Sequence, residues 1–373
     1  MLTTLYALSC LVSGAVNSPE TIVFPATRYH WRGRHVYPSG SSHLYSVHLD
    51  GSHLHALTHG PGDDQDPHPS LDGRHIIFLR THGDSDPFAI CSIDLDGRHF
   101  QKLASAQGEI SAKLSEARIL AGRPLPFKLI NYWDDGHYAL LDSKGKTVGQ
   151  WVEWIEPRFS ADWTAVLVGG NSLVDLRTGR QNELPTPSSS VGFSGSGSWA
   201  WLDETTFLAR FLDESKQDGT GAAALAGRDG KIRLSLKTKQ ARDQEHREHG
   251  NDFQRQWGVA ESARLAIPWP NHPDSVVTWN SIGFSSGSAG YTSILNLKTG
   301  DSLEVDDQHL DGVTQDGRHL VTATWEWRGG YHEPGSEALN RLYVWDTRTW
   351  KSKQIGFKWM EIGSDACLVR SRQ

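Results

Sequence analysis

Cysteine is scarce in this chain, which holds only Cys10, Cys91 and Cys367. Three thiols provide neither a disulfide framework nor the ligand spacing of a structural metal site. The sequence allows a single bridge between Cys91 and Cys367. We therefore expect the fold to depend on its hydrophobic core and on the closure of its sheets.

A block of positive charge is also missing. The 37 Lys and Arg residues are spread along the chain against 44 Asp and Glu, and the formal net charge is −7. Proteins that bind nucleic acid carry a concentrated basic surface, so this class is excluded. The expected partner is a protein or an acidic glycan or peptide, and the chain itself is expected to be a monomer.

Long apolar runs are absent beyond the N-terminus, so no segment there has the roughly 20 uninterrupted apolar residues of a membrane span. The stretch from Leu2 to Val16 is apolar, and Ser13 and Ala15 have the spacing of a signal-peptidase site. We expect residues 1–18 to be a signal peptide or export segment and the protein to be periplasmic or secreted. A buried first strand is the alternative, because no Lys or Arg precedes the apolar stretch.

Turn-forming and aromatic residues are plentiful. The 37 Gly and 16 Pro residues scatter along the chain, and the aromatic share is 10% with 15 Trp. Scattered Gly and Pro are typical of turns between many short strands, and aromatic side chains favour strands. The composition therefore predicts an all-β fold.

Two segments share one pattern. HLYSVHLDGSHLHALT at residues 43–58 and FAICSIDLDGRHFQKL at residues 88–103 both have alternating apolar residues, Leu-Asp-Gly, and a second alternating run. Asp-Gly tolerates the positive φ of tight turns, so each segment is predicted to be a β-hairpin. The Asp in each turn is interpreted as structural rather than catalytic.

The same hairpin pattern recurs with altered turns, which gives seven predicted hairpins at intervals of roughly 35 to 70 residues, near the blade length of propellers. We therefore predict a single seven-bladed β-propeller of four-stranded antiparallel blades over residues 19–373, with six or eight blades as alternatives. The further hairpins are 141–150, 174–184, 227–234, 294–305 and 342–355.

A second element precedes several hairpins. Ser70, Asp72, Gly73, Arg74 and Phe78 form the pattern Ser-x-Asp-Gly-Arg-x-apolar-x-Phe. This pattern resembles the repeat of the TolB-like propeller family, which also occurs in tricorn-like and oligopeptidase propellers. The match covers residues 40–104 closely and residues 155–184 and 310–356 in part. The resemblance implies an exported, non-catalytic protein that binds partners through its propeller faces.

A propeller ring needs a strand from the other terminus to close, because an open ring leaves exposed strand edges. The segment from Ala366 to Ser371 follows the seventh hairpin and has the apolar pattern to pair beside Thr21 to Phe24. Both termini are therefore predicted to meet in one blade.

Candidate ligand contacts come from loops of the seventh, first and second blades, which should open on one face of the ring. Aromatic rings stack on apolar ligand faces, and guanidinium groups pair with carboxylates. A ligand site is therefore predicted at the mouth of the ring, with mutual packing of the loops as the alternative. The candidate residues are Trp31, Arg34, His35, Arg80, His82, Trp327, Tyr331 and His332.

Catalytic residues are not assigned, because no nucleophile elbow and no metal-binding histidine motif is present. No cofactor is predicted, and a divalent ion is left open. The 18 histidines, many of them before residue 100, and the acidic group Asp63, Asp64 and Asp66 are interpreted as solvated surface.

The alternative function is a propeller polysaccharide lyase, in which Arg neutralises a uronate carboxylate and His or Tyr moves the proton.

Overall fold

The computed structural model divides the chain into two compact units, one with the described residues of 11–125 and 311–373, the other with those of 126–310. The described residues are 20–32, 35–38, 40–70, 72–83, 86–106, 127–131, 137–142, 146–152, 158–160, 164–168, 172–184, 199–212, 220–241, 261–284, 287–306, 309–328, 337–356, 360–362 and 366–370. All regular structure within these ranges is β-strand.

The first unit contains three sheets, with strand orders β2-β1-β3-β4, β5-β6-β7-β8 and β24-β25-β26-β27; β28 and β29 both pair with β1. The strands are β1 Glu20–Arg32, β2 His35–Pro38, β3 His43–His48, β4 His55–Ala56, β5 Asp63–Pro69, β6 His75–Thr81, β7 Phe88–Asp94, β8 Gln101–Ala106, β24 His309–Val313, β25 His319–Arg328, β26 Glu337–Asp346, β27 Lys351–Ile355, β28 Met360–Ile362 and β29 Cys367–Arg370.

The second unit contains the sheets β11-β10-β9 and β12-β13-β14-β15 and an eight-stranded sheet in which β16 to β19 and β20 to β23 are joined by parallel pairing of β19 with β23. The strands are β9 Phe127–Asn131, β10 His137–Asp142, β11 Thr147–Val152, β12 Arg158–Phe159, β13 Ala165–Val168, β14 Ser172–Asp175, β15 Gln181–Glu183, β16 Trp199–Trp201, β17 Thr206–Leu212, β18 Thr220–Gly227, β19 Ile232–Ala241, β20 Glu261–Pro268, β21 Ser275–Phe284, β22 Gly287–Asn296 and β23 Asp301–Asp306.

The strand order has the organisation of propeller blades. Runs of four consecutive antiparallel strands follow one another along the chain, which is how radially repeated blades are built. The predicted class, an all-β propeller of four-stranded antiparallel blades, is confirmed. Each predicted hairpin is present as a strand pair, while the count of seven blades and the single domain over residues 19–373 stay predictions.

The hairpin turns are held by their aspartates. In the first hairpin, Asp50 Oδ1 accepts the backbone N–H of Ser52 at 2.8 Å, and Gly51 has a φ of +80°. In the second, Asp96 Oδ1 accepts the backbone N–H of Arg98 at 3.0 Å. A carboxylate two residues before a backbone donor closes a tight turn, and Gly accepts positive φ without a steric penalty. These aspartates are therefore structural, as predicted.

The C-terminal strand β29 pairs antiparallel with β1, with Ile22 opposite Leu368 and Val23 opposite Cys367. This is the pairing predicted from the apolar pattern of the two ends. The core of the first unit lies between this sheet and β24–β27, since Ile22 and Phe24 pack in one cluster with Val321 and other buried residues.

The Cys91–Cys367 bridge that the sequence allowed is not formed. Both thiols are free and buried. Cys91 lies in β7 and Cys367 in β29, and each side chain fills core volume in its own sheet. In this part of the chain, apolar packing and backbone pairing take the place of covalent cross-links.

Candidate functional site

Three strand connections leave the same end of the first unit. Ala26 of β1 lies opposite His43, the first residue of β3, so the part of β1 after Ala26 extends past the start of β3. The backbone N–H of Ser42 donates to Asp63 Oδ1 at 2.7 Å, and Asp63 lies opposite Thr81 at the end of β6. The β1–β3 and β6–β7 connections are therefore neighbours.

The long hairpin of β25 and β26 reaches this end as well. Thr324 of β25 lies opposite Arg341 of β26. The buried guanidinium of Arg341 donates to the backbone oxygen of Met360, and Met360 lies opposite Arg28 of β1. The parts of β1 and β25 that follow Arg28 and Thr324 therefore extend from a common level.

These two strand extensions carry three of the predicted ligand contacts. Trp31 lies in β1, His35 opens β2, and Trp327 lies in β25. The sequence pattern predicts loops for all three residues. Their backbones lie in strands, because the strands of these hairpins extend further than the turn residues indicate. The side chains of these three residues lie outside the described part of the chain, as do three whole residues: Arg34, Tyr331 and His332.

His82 follows β6 directly and is exposed. Gly62, one residue before β5, has a φ of +106°, and a Cβ added there would lie 2.9 Å from His82 Nδ1. A side chain at residue 62 would therefore displace the imidazole, and positive φ favours Gly independently. The close approach places His82 over the connection that enters β5, at the same end as the β1–β3 connection.

Arg80, another predicted ligand contact, is paired with Asp64. Its Nε donates to Asp64 Oδ1 at 2.6 Å and its Nη2 to Asp64 Oδ2 at 2.8 Å. The carboxylate is completely buried and the Arg80 side chain is 12% exposed. Hydrogen bonding to Asp64 raises the pKa of the guanidinium above its ordinary value. Two of its nitrogens therefore have a structural role, and contact with a ligand stays a prediction.

Asp64 also joins the first two sheets. Thr58 Oγ1 donates to Asp64 Oδ2 at 2.5 Å and accepts the backbone N–H of Leu44 at 2.8 Å. His43 Nδ1 lies 3.6 Å from the same carboxylate oxygen. The expectation that Asp64 is a solvated surface carboxylate was wrong, because the residues thought to form a linker are the strand β5, and β5 directs this side chain towards Arg80 and Thr58.

The carboxylates of the repeat turns are engaged in the same way as Asp50. Asp72 accepts the hydroxyl of Ser70 at 2.5 Å and the backbone N–H of Arg74 at 3.0 Å, and these bonds lower the pKa of its carboxyl. Asp346 accepts the backbone N–H of Thr349 at 2.8 Å. Carboxylates held as anions by backbone donors stabilise turns and are poor general acids or bases near neutral pH.

Within the described ranges, no group of three or more His, Cys, Asp or Glu side chains is arranged to hold a metal ion. The same ranges contain no helix with the length and apolar character needed to cross a membrane.

No protein-family model matches the chain, and no curated protein matches it. Solved structures similar to it include TolB from Acinetobacter baumannii, at 13% identity and a TM-score of 0.41 over 93% of this chain and 66% of the TolB chain. The chain thus spans just under two thirds of that TolB chain.

Two further solved structures are similar to this chain. The β-propeller domain of the Trilobed protease from Pyrococcus furiosus is 12% identical, with a TM-score of 0.39 over 90% of this chain and 98% of that domain. An oligogalacturonate lyase in complex with manganese is 12% identical, with a TM-score of 0.31 over 91% of this chain and 74% of the lyase.

Proposed function

We propose that this protein is an exported propeller that acts as a binding module, with its ligand at the end of the first unit where β1, β6 and β25 lead into their connections. The observation that carries the proposal is the common level of these strand ends, fixed by Met360 between Arg28 and Arg341. The two extensions beyond that level contain the sequences YHWR and WEWR, which are rich in aromatic and cationic residues.

The ligand class follows from these residue types. Trp and Arg are enriched at binding surfaces, because a rigid ring gives contact area at a low entropic cost and a guanidinium gives two hydrogen bonds to a carboxylate. An acidic polypeptide segment or a uronate-containing glycan fits this chemistry.

The test uses purified protein titrated with oligogalacturonate and, separately, with poly-glutamate, followed by intrinsic Trp fluorescence and calorimetry. We expect saturable binding of at least one of these polyanions, with Arg34→Ala and Trp327→Ala each weakening it roughly tenfold, as loss of a central interface contact does. Asp96→Ala, in the outer turn of the second hairpin, is the control that should bind normally. Absence of binding to both polyanions would contradict the proposal.

The same samples separate binding from catalysis. A lyase produces unsaturated sugars that absorb ultraviolet light, so a rising absorbance with oligogalacturonate would replace the binding role by the lyase alternative. Thermal unfolding of Arg34→Ala and Trp327→Ala should remain near that of the parent protein if these residues act in binding, because surface substitutions change stability little. Export is tested by N-terminal sequencing of the secreted protein, which should begin within residues 16–19 if the segment is cleaved.

A further inference from the structure

The hairpin of β3 and β4 carries histidines that the proposed ligand-binding end does not use. His48 ends β3, His53 lies in the turn region and His55 opens β4. Ser46 lies opposite His55, and alternate residues of a strand share a face. His48 therefore lies on the same face as Ser46, at the opposite end of β3 from His43.

The rings of His48 and His53 are already close together. Their centroids are 4.5 Å apart and the rings are inclined at 43°. The turn fixes this arrangement, because the backbone N–H of His48 donates to Ser52 O at 3.0 Å and the N–H of Gly51 donates to His48 O at 2.8 Å. The two imidazoles are thus held side by side by the backbone.

This separation is close to that required by a shared metal ion. A zinc ion bound by two imidazole nitrogens at about 2.1 Å lies roughly 3.2 Å from each ring centre, so a tetrahedral angle places the centres about 5 Å apart. An outward movement of about half an ångström would bring the two rings to that spacing. Both side chains are accessible, since His53 is exposed and His48 is partly exposed.

Neighbouring groups favour a cation at this position. Ser52 Oγ lies 3.4 Å from His48 Nδ1, and a hydroxyl oxygen that accepts a hydrogen bond from Nδ1–H leaves the Nε2 lone pair for a metal. The backbone N–H of Ser52 donates to Asp50 Oδ1 at 2.8 Å, so a carboxylate lies in the same turn as the pair. The ammonium of Lys353 donates to the backbone oxygen of Asp50, and its positive charge disfavours a second cation there.

The second repeat shows what the same turn does without the histidine pair. Asp94 stands at the position of His48 and His99 at that of His53. His99 Nδ1 is 2.7 Å from Asp94 Oδ2, so the turn imidazole is bound to a carboxylate. Both turn histidines have the same left-handed backbone, with φ of 57° at His53 and 52° at His99. The turn geometry is therefore common to both hairpins, and the imidazole pair is specific to the first.

We propose that His48 and His53 form a surface site for a divalent transition-metal ion such as Zn²⁺, with water completing the coordination. Imidazole nitrogen is a preferred ligand for Zn²⁺, Cu²⁺ and Ni²⁺ and a poor one for Mg²⁺. The site is separate from the proposed ligand-binding end, because it lies at the other end of β3.

The test is calorimetric titration of the tag-free protein with zinc chloride near pH 7.5, with magnesium chloride as the reference cation. We expect saturable zinc binding and no magnesium binding. His48→Gln and His53→Gln should each lower zinc affinity roughly tenfold or more, as loss of a metal-supporting group does. His99→Gln, the matched change in the second hairpin, should leave it unchanged. Zinc should also be released on lowering the pH to about 5.5, since the bound imidazoles must be neutral.

Unchanged zinc affinity in His53→Gln would overturn the assignment, as would an equal loss in His99→Gln. Unfolding midpoints measured without zinc identify a variant that fails to fold. If a variant fails to fold, NMR spectra of the histidine rings are recorded on the parent protein with and without zinc. Zinc should shift the signals of His48 and His53, and shifts confined to other histidines would overturn the proposal.

Discussion

Asp64 and Arg80 lie opposite each other on β5 and β6 and share two hydrogen bonds, with the carboxylate completely buried. Replacing the guanidinium leaves that carboxylate in the core with Thr58 as its remaining close donor. Removal of one partner of a buried ion pair is strongly destabilising, because the other charge stays desolvated.

Arg80→Gln is therefore expected to lower the free energy of unfolding by about 3–5 kcal/mol. Arg98→Gln is the matched control, since the Arg98 side chain is 78% exposed in its pair with Asp96 and exposed pairs contribute roughly 0–1 kcal/mol. Urea denaturation of both variants measures the difference. If both variants lower the free energy of unfolding by the same small amount, the carboxylate of Asp64 is hydrated in the folded protein.

Stability should fall in acid because of the turn aspartates. Hydrogen bonds hold the pKa of Asp50, Asp72 and Asp346 below the ordinary value of 3.8. A folded-state pKa below the unfolded one gives stability that is complete above pH 3.8 and is lost as the pH falls through the folded value. The unfolding temperature is expected to decrease as the pH falls below about 4.

The control for this pH dependence is a variant in which the three aspartates are replaced by Asn. Asn keeps a side-chain acceptor for the turn but does not titrate. Its unfolding temperature should change less over the same pH range. If the unfolding temperature of the variant depends on pH as strongly as that of the parent, other carboxylates cause the loss of stability in acid.

Cys91 is expected to be chemically inert in the folded protein. Burial raises the pKa of its thiol to about 11, so the reactive thiolate is nearly absent at neutral pH. Peptide mass spectrometry after brief iodoacetamide treatment should find Cys91 and Cys367 unmodified in the native protein and both modified in guanidinium chloride. Fast native alkylation of Cys91 would show that β7 opens locally.

Ile22 tests the pairing of the two chain ends, because it is fully buried beside Leu368 of β29. Ile22→Ala should lower the free energy of unfolding by about 2–5 kcal/mol through loss of apolar contact and the cavity that remains. Ile232→Ala removes the same atoms from a side chain that is 41% exposed, so its effect should be much smaller. Denaturant unfolding compares the two variants directly.

The hairpins were predictable from sequence because their information is local. Asp96 and Gly97 define a turn within four residues, and the flanking alternation sets the two faces of the strands. The pairing of β29 with β1 was predictable for a different reason, since a propeller leaves one unpaired edge at each terminus. Both predictions used patterns that short segments contain in full.

The surroundings of Asp64 were not predictable in this way. Three carboxylates in a short segment suggest a solvated linker, and Arg80 is distant along the chain. Their contact depends on the register of β5 with β6, which shifts at a bulge between Gln65 and His68. Bulge position depends on packing against neighbouring sheets, and the sequence pattern alone does not contain it. The extension of β1 to Arg32 was missed because the strands of this hairpin run further than its turn residues indicate.

The pairing of β29 with β1 also has a consequence for biosynthesis. β1 leaves the ribosome well before β29, so the edge of β1 that pairs with β29 has no permanent partner while the residues between the two strands are made. At roughly 5–20 residues per second, this interval lasts some tens of seconds. An unpaired strand edge is a template for association with other chains. Until β29 is available, β1 therefore has an edge at which association with another chain competes with the native pairing.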